Sequence, residues 1–434
     1  MEILLNVLGC LVVIAMIILL IKKYESRMVL FACGFILCLI ALKPFDAFHA
    51  FTKAMQNAKV IEPIVASMGF AYVLKLTECD KHLVYALSRV LKHAGIFLVP
   101  GAVLITAFIN ISITSSSGCS AAVGAIIIPL LMRMGIHPAM AASTVFLGTY
   151  GSANLNPGYA QTIIVSEVSN REVIDVVHYE AFYFGMSAVI VALLLMLVAL
   201  YLKEYKGYKL EEDESTGGGD FKINVFKAIV PIIPVSILII SHLTIFQDFY
   251  QNLLGMKMPE IKISYAMIFG AFLAFIASMG SVKSGDIVKK FFAGMGEGFS
   301  HVYGIITCAL IFVAGLKAIG FVAEIIDFMK ENPNIASFAG SVGTFVLALI
   351  TGSGDAAALS FNQAVTIHAD NFGLDPMHLG SAITAVAGLG RSMSPIAGPA
   401  IICATYAKVN PMELAKRNAI PTIVASIVYV LVTL

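Results

Sequence analysis

One pattern in this chain occurs twice, and it leaves little freedom over what the chain can fold into. The first copy runs from Phe108 to Gly158 and the second from Val346 to Gly398. In each, an apolar run meets a cluster of Ser and Gly. A second apolar run then ends in Gly-x-x-Pro, and a third breaks into small and polar residues before another Pro. The copies align without gaps: Ser115 falls on Ser353, Gly135 on Gly373, Pro138 on Pro376, Ser143 on Ser381 and Pro157 on Pro395, a constant offset of 238 residues. Bare polar backbone at membrane depth is tolerated only where it lines protein or a water-filled cavity. Its recurrence at matching places in two halves marks the binding site of a transporter.

The sequence around the repeat identifies the solvent. Of 434 residues 59% are hydrophobic and 13% charged, with a mean hydropathy of +0.90, more apolar surface than a soluble domain can hide. The apolar runs are too long for barrel strands, so an all-α polytopic membrane protein embedded in the lipid bilayer is expected. A net charge of +1 supplies no basic field for nucleic acid. Seven Cys form no CxxC pair and mostly sit in apolar segments, as small buried hydrophobes do. The N-terminus lacks the basic start and cleavage site of a signal peptide, and its long apolar run predicts a retained helix. With no Trp in the chain, an aromatic belt must come from Tyr and Phe.

Residues 1–202 form a first repeat, with a re-entrant hairpin over about 96–134 and a broken transmembrane helix over about 139–167. Residues 203–222, the only long polar stretch, are the linker. Residues 223–434 repeat the order, with a hairpin over about 335–371 and a broken helix over about 376–406. About 10 spanning helices plus 2 hairpins are expected. An odd number of crossings per half makes the repeats inverted. With the linker inside, 19 Lys and Arg lie on its side and 8 on the other, which makes the linker cytoplasmic. The amphipathic stretch Thr77–Gly95 is expected to lie in the interface.

Thr114, Ser115, Ser116 and Ser117 crowd the first hairpin tip, and Ser353, Gly354 and Asp355 the second. Hydroxyls donate to carboxylates and coordinate small cations, and helix ends expose unpaired N–H and C=O groups. Gly151, Ser152 and Asn154 in the first break, and Gly390, Ser392 and Ser394 in the second, could offer unwound carbonyls and side-chain oxygens to Na⁺. Close helix packing and Pro kinks are the plain alternatives. Arg391 is the only basic residue between about Ala382 and Ala407. Its planar fork suits a carboxylate, unless it forms a structural pair with Asp355. Asn362 follows Asp355 on the same helical face. His137 and Asp375 are expected to cap helices, and Asp175, His178 and Glu180 to occupy a solvated loop. No GxSxG, HExxH or P-loop pattern points to an enzyme or a nucleotide-driven pump.

The segments TSSSGCSAAVGAIIIPLLMRMGIHP and GTYGSANLNPG, with TGSGDAAALSFN and AGLGRSMSPIAGPA, resemble the anaerobic C4-dicarboxylate carriers of the DcuC type, within a broader ion-transporter superfamily. The resemblance covers the whole chain. It implies a homodimer with a scaffold and a mobile transport domain. It also implies elevator-type alternating access and traffic in succinate, fumarate or malate across a bacterial inner membrane. Relatives carry Ser-Asn-Thr at each tip, where Ser115-Ser116-Ser117 and Ser353-Gly354-Asp355 stand here. On this basis Ser115, Ser116, Ser117, Asn154, Ser353, Gly354, Asp355, Asn362, Arg391 and Ser392 would face substrate. Thr114, Gly151, Ser152, Asn154, Gly390, Ser392 and Ser394 would face a coupling ion, Na⁺ or a proton, with no other cofactor. A carrier of amino acids or other small carboxylates, or an anion channel, would use similar residues.

Overall fold

The computed structural model describes residues 2–22, 24–91, 97–208, 221–241, 244–254, 256, 259, 261–321 and 333–434. Most of the 203–222 linker and of the interfacial stretch expected between Phe321 and Asn334 falls outside them. All regular elements among the described residues are helical. Those that frame the site are α1 (Ala58–Thr77), α2 (Leu98–Ser112), α3 (Ser116–Arg133), α4 (Pro138–Gly148), α5 (Ala160–Ser169), α6 (Val173–Tyr201), α7 (Pro333–Thr351), α8 (Gly354–Ala364), α9 (Pro376–Arg391), α10 (Gly398–Ala407) and α11 (Pro411–Thr433).

The chain is a polytopic helical membrane protein. Among the described residues five helices are long and apolar enough to cross a bilayer, or six if the bent pair Ile233–Ser241 and Phe246–Asn252 is one span. Part of the shortfall from ten follows from the motif itself. Hairpin tips and breaks cut the apolar sequence into pieces such as α2, 15 residues long, and α10, 10 residues long. At 1.5 Å per residue such pieces fall short of the ~30 Å hydrocarbon core. The second arm of the first hairpin, α3, is longer than the sequence suggests, at 18 residues.

The same backbone devices recur at the constant offset. Ser115 Oγ accepts from the Gly118 N–H at 3.1 Å and Ser353 Oγ from the Ala356 N–H at 3.2 Å. Each tip serine is thus an N-cap that restarts a helix after the turn. Gly135 and Gly373 take positive φ, +92° and +74°, and reverse the chain where a side chain would be strained. Pro138 and Pro376 then open α4 and α9, capped by His137 and Asp375. Further on, α5 and α10 begin at Ala160 and Gly398 and end at the left-handed residues Asn170 and Lys408. Finally α6 and α11 begin after Glu172 and Asn410.

The two copies differ at their breaks. In the second, α9 runs on to Arg391, so the helix breaks over Ser392–Ala397 and Gly390, which the sequence places in the break, stays helical. Gly388 and Gly390 serve close approach inside the helix. A Cβ on Gly388 would come within 1.8 Å of the Tyr150 carbonyl oxygen, and one on Gly390 within 2.4 Å of the Phe345 carbonyl oxygen. Elements of both halves interleave: α10 lies along α3 and α4, α9 against α5, and α11 against α6. On its outer face α6 exposes Val189, Leu193 and Leu197 at four-residue spacing, as a helix facing lipid does.

Candidate substrate site

Both hairpin tips, and the helix ends that flank both breaks, line one cavity of about 250 Å³. That is below the ~300–1,000 Å³ common for ligand pockets and suits a small metabolite. Four helices begin at its wall. The starts of α3 (Ser116, Ser117), α8 (Gly354, Asp355), α5 (Ala160) and α10 (Gly398, Pro399) all line it. The opposite wall comes from α1, through Ile64, Ser67 and Met68, and from Val302. The approach is close: a Cβ on Gly398 would meet Ser117 Oγ at 2.7 Å, and one on Gly158 would meet Ser67 Oγ at 1.9 Å. Each helix start carries partial positive charge and unpaired N–H groups, so four around one cavity favour an anion.

Arg391 supplies the full positive charge. It is 7% exposed at the last residue of α9 and lines the cavity. Its Nη2 donates to the Thr149 carbonyl, and its Nη1 is buried with no partner in the protein. A buried guanidinium N–H left unsatisfied costs several kcal/mol unless something else accepts it. Asp355 is not that acceptor. Its Oδ1 accepts from Tyr159 Oη at 2.5 Å and from Gln161 Nε2 at 2.6 Å, and its side chain is exposed to the cavity. The structural Arg391–Asp355 pair weighed from sequence does not form.

Of the expected substrate residues, Ser115, Ser116, Ser117, Ser353, Gly354, Asp355 and Arg391 meet at the cavity, joined by Thr114. Asn154, Asn362 and Ser392 do not. Asn362 is fully buried against α9, donating to the Gly380 carbonyl at 3.4 Å and accepting from Thr366 at 2.7 Å. Ser392 Oγ donates back to the Gly388 carbonyl at 2.9 Å. Gly390 is helical and its carbonyl accepts from the Met393 N–H, so no unwound carbonyl is offered there. The Gly151 carbonyl is likewise taken, by the Asn154 N–H at 2.9 Å. Ser152 Oγ, Asn154 Oδ1 and Ser394 Oγ are buried and lack partners. These hard oxygens are the ones available to a small cation.

Tyr159 and Gln161 were not singled out from sequence. They follow the first break by one turn and reach Asp355 across 196 and 194 residues of chain. Tyr159→Phe removes one hydrogen bond to a carboxylate that stays solvated. A rise of roughly 2–10-fold in substrate KM is expected, matching ~0.5–1.5 kcal/mol, with little change in maximal rate. Initial uptake rates against substrate concentration measure it.

Met68, Ser115 and Ser117 also line a larger, adjoining vestibule of about 1,170 Å³. Lys75, Lys81 and Lys290 stand in its wall together with Glu78, Asp80 and Glu297. Phe221, at the end of the linker, borders it too.

Comparison with known proteins places this architecture. Residues 43–434 match the family described as C4-dicarboxylate anaerobic carrier, DcuC. A transporter of Haemophilus influenzae is 36% identical over 61% of this chain and 94% of its own. The anaerobic C4-dicarboxylate transporter DcuC of Escherichia coli K12 is 22% identical over 98% of this chain and 95% of its own. Among solved structures, Neisseria gonorrhoeae MtrF, described among antimetabolite efflux pumps, shares the fold with a TM-score of 0.54 at 17% identity, over 91% of this chain and 83% of its own. With its two capped hairpin tips, two broken helices and shared cavity, the chain belongs to the DcuC family of C4-dicarboxylate anaerobic carriers, which are transporters and not enzymes.

Proposed function

We propose that the protein is a secondary carrier of C4-dicarboxylates such as succinate, fumarate and malate, working by alternating access in a bacterial inner membrane. The observation that carries this reading is the unpartnered Arg391 Nη1 in a small cavity ringed by four helix N-termini. Arg391 holds one carboxylate of the substrate. Ser115, Ser117 and Ser353, with the backbone N–H groups behind them, hold the other. The name of the E. coli relative supports the substrate class.

The two copies are inverted repeats that enter from opposite sides, with the linker cytoplasmic. The hairpins and broken helices move together as a transport domain against α1 and its neighbours, in the manner of an elevator, and two chains form a dimer. Na⁺ binds through the Ser152, Asn154 and Ser394 oxygens. The vestibule along Lys75, Lys81 and Phe221 is the cytoplasmic approach, where lysines raise the local dianion concentration.

Uptake of labelled substrate into proteoliposomes preloaded with succinate tests the proposal, with external dicarboxylate, Na⁺ and pH varied separately. Saturable counterflow with C4-dicarboxylates is expected. No counterflow with any of them would sink the reading. Conduction without saturation would indicate an anion channel. The exposed Asp355 gives one specific ground for an amine-bearing substrate, so aspartate belongs among the competitors. Inhibition by aspartate far stronger than by succinate would reassign the carrier to amino acids.

A further inference from the structure

Glu180 lies away from the substrate cavity and has no place in the scheme above. The sequence puts it with Asp175 and His178 in a solvated loop. In the structure α6 starts at Val173, so Glu180 stands seven residues, or about 10 Å, inside the helix. Asp175 and His178 are exposed on one face, while Glu180 shares the other with Val176 and Val177 and has 0% exposure.

No Lys or Arg pairs with Glu180, and the Ser381 hydroxyl of α9 is the one hydrogen-bonding group that acts on its carboxyl. Tyr179 on its own helix and Tyr429 on α11 lie within range of its charge, and Tyr183 packs against both rings. Tyr179 stacks on His378 of α9 at 4.5 Å, and Asp375 at the start of α9 is occupied by Arg171 at 3.3 Å. No titratable side chain of α2, α4 or α5 acts on it. An ionised carboxylate enclosed this way, with no cation, would cost many kcal/mol in a low-dielectric interior, whereas the protonated acid is tolerated.

The internal repeat provides a control. At the constant offset, the second copy of Glu180 is Asn418 on α11, also fully buried. Asn418 ties α11 to the second break, since its Nδ2 donates to the Ser392 carbonyl at 3.0 Å. A neutral amide therefore occupies this position in one half. The other half carries an acid that makes no bond requiring a charge.

We propose that Glu180 is a proton-binding site of the carrier, separate from the substrate cavity, which takes up and releases one proton as α6, packed along the hairpin arm α2, moves with the hairpins and broken helices. The carboxylate gains a proton from water on one side, crosses as the neutral acid and returns the proton on the other. It gives transport a proton dependence independent of any Na⁺ bound near the breaks.

Two measurements on the full chain test this. Infrared difference spectroscopy of the purified protein at neutral pH should show a protonated carboxylic acid band that Glu180→Gln lacks and Glu180→Asp retains. A band unchanged in Glu180→Gln overturns the proposal. This arm needs no substrate, so it stands or falls apart from the dicarboxylate reading. The second arm rests on that reading and compares net succinate uptake at acidic and alkaline pH. The ratio, several-fold in the wild type, should fall to about one in Glu180→Gln and persist in Glu180→Asp. If Glu180→Gln does not fold, a wild-type ratio of one overturns the proposal by itself.

Discussion

Arg391→Lys is expected to raise the KM for dicarboxylate counterflow by roughly 10–100-fold, equivalent to ~1.4–2.7 kcal/mol. The charge survives this change, so the loss isolates geometry. A guanidinium presents two parallel N–H donors to one carboxylate, whereas an ammonium offers a point charge on a shorter reach. Arg391 also divides its fork: Nη2 is committed to the Thr149 carbonyl and Nη1 is left over. Lysine cannot do both. Arg391→Gln should abolish transport, because the dianion then enters with no full positive charge to meet it. Proteoliposome counterflow measures both variants, with elution from size-exclusion chromatography as the control for folding. If Arg391→Lys transports as the wild type does, the guanidinium is a staple between α9 and the first break, and the carboxylate is held by the helix N-termini alone.

The parts of this site that could be read from sequence are those written in local backbone chemistry. Ser115 and Ser353 announce helix starts, and Gly135 with Pro138, like Gly373 with Pro376, announces a turn and a new helix. Arg391 stood out because an isolated cation in apolar sequence has few uses. What failed depended on which face a helix presents and to what. Asn362 does lie on one face with Asp355, but that end of α8 is covered by α9 and turned into core. The glycines around Arg391 suggested unwinding, although they are equally suited to letting two backbones touch, which is how Gly388 meets Tyr150. Tyr159 and Gln161 carry no local signal, since only the meeting of α5 with α8 gives them a role. Glu180 was within reach. It continues the buried stripe of Val176 and Val177 at helical spacing, whereas Asp175 and His178 fall on the wet face.

Asp355→Asn is expected to remove the Na⁺ dependence of succinate binding. The charges at the cavity explain why. Arg391 and Asp355 cancel, so only the partial positive charges of four helix starts are left to hold a dianion. A substrate carboxylate ~6 Å from Asp355 meets a repulsion of ~2–3 kcal/mol at an effective dielectric of ~20. A bound cation offsets that term, and so does removal of the carboxylate charge. Asparagine is close to isosteric, and its amide oxygen still accepts from Tyr159 and Gln161. In the wild type, saturating Na⁺ should lower the succinate KM by roughly 30–150-fold, the equivalent of that repulsion. In Asp355→Asn the KM should start low and change by less than about twofold, below ~0.4 kcal/mol. Counterflow at fixed pH across a Na⁺ series gives both curves. A variant that keeps the full Na⁺ response would show that Na⁺ at the Ser152, Asn154 and Ser394 oxygens favours succinate without relieving the charge of Asp355. A variant that loses inhibition by aspartate while keeping that response would mark Asp355 as a contact for a substrate amine.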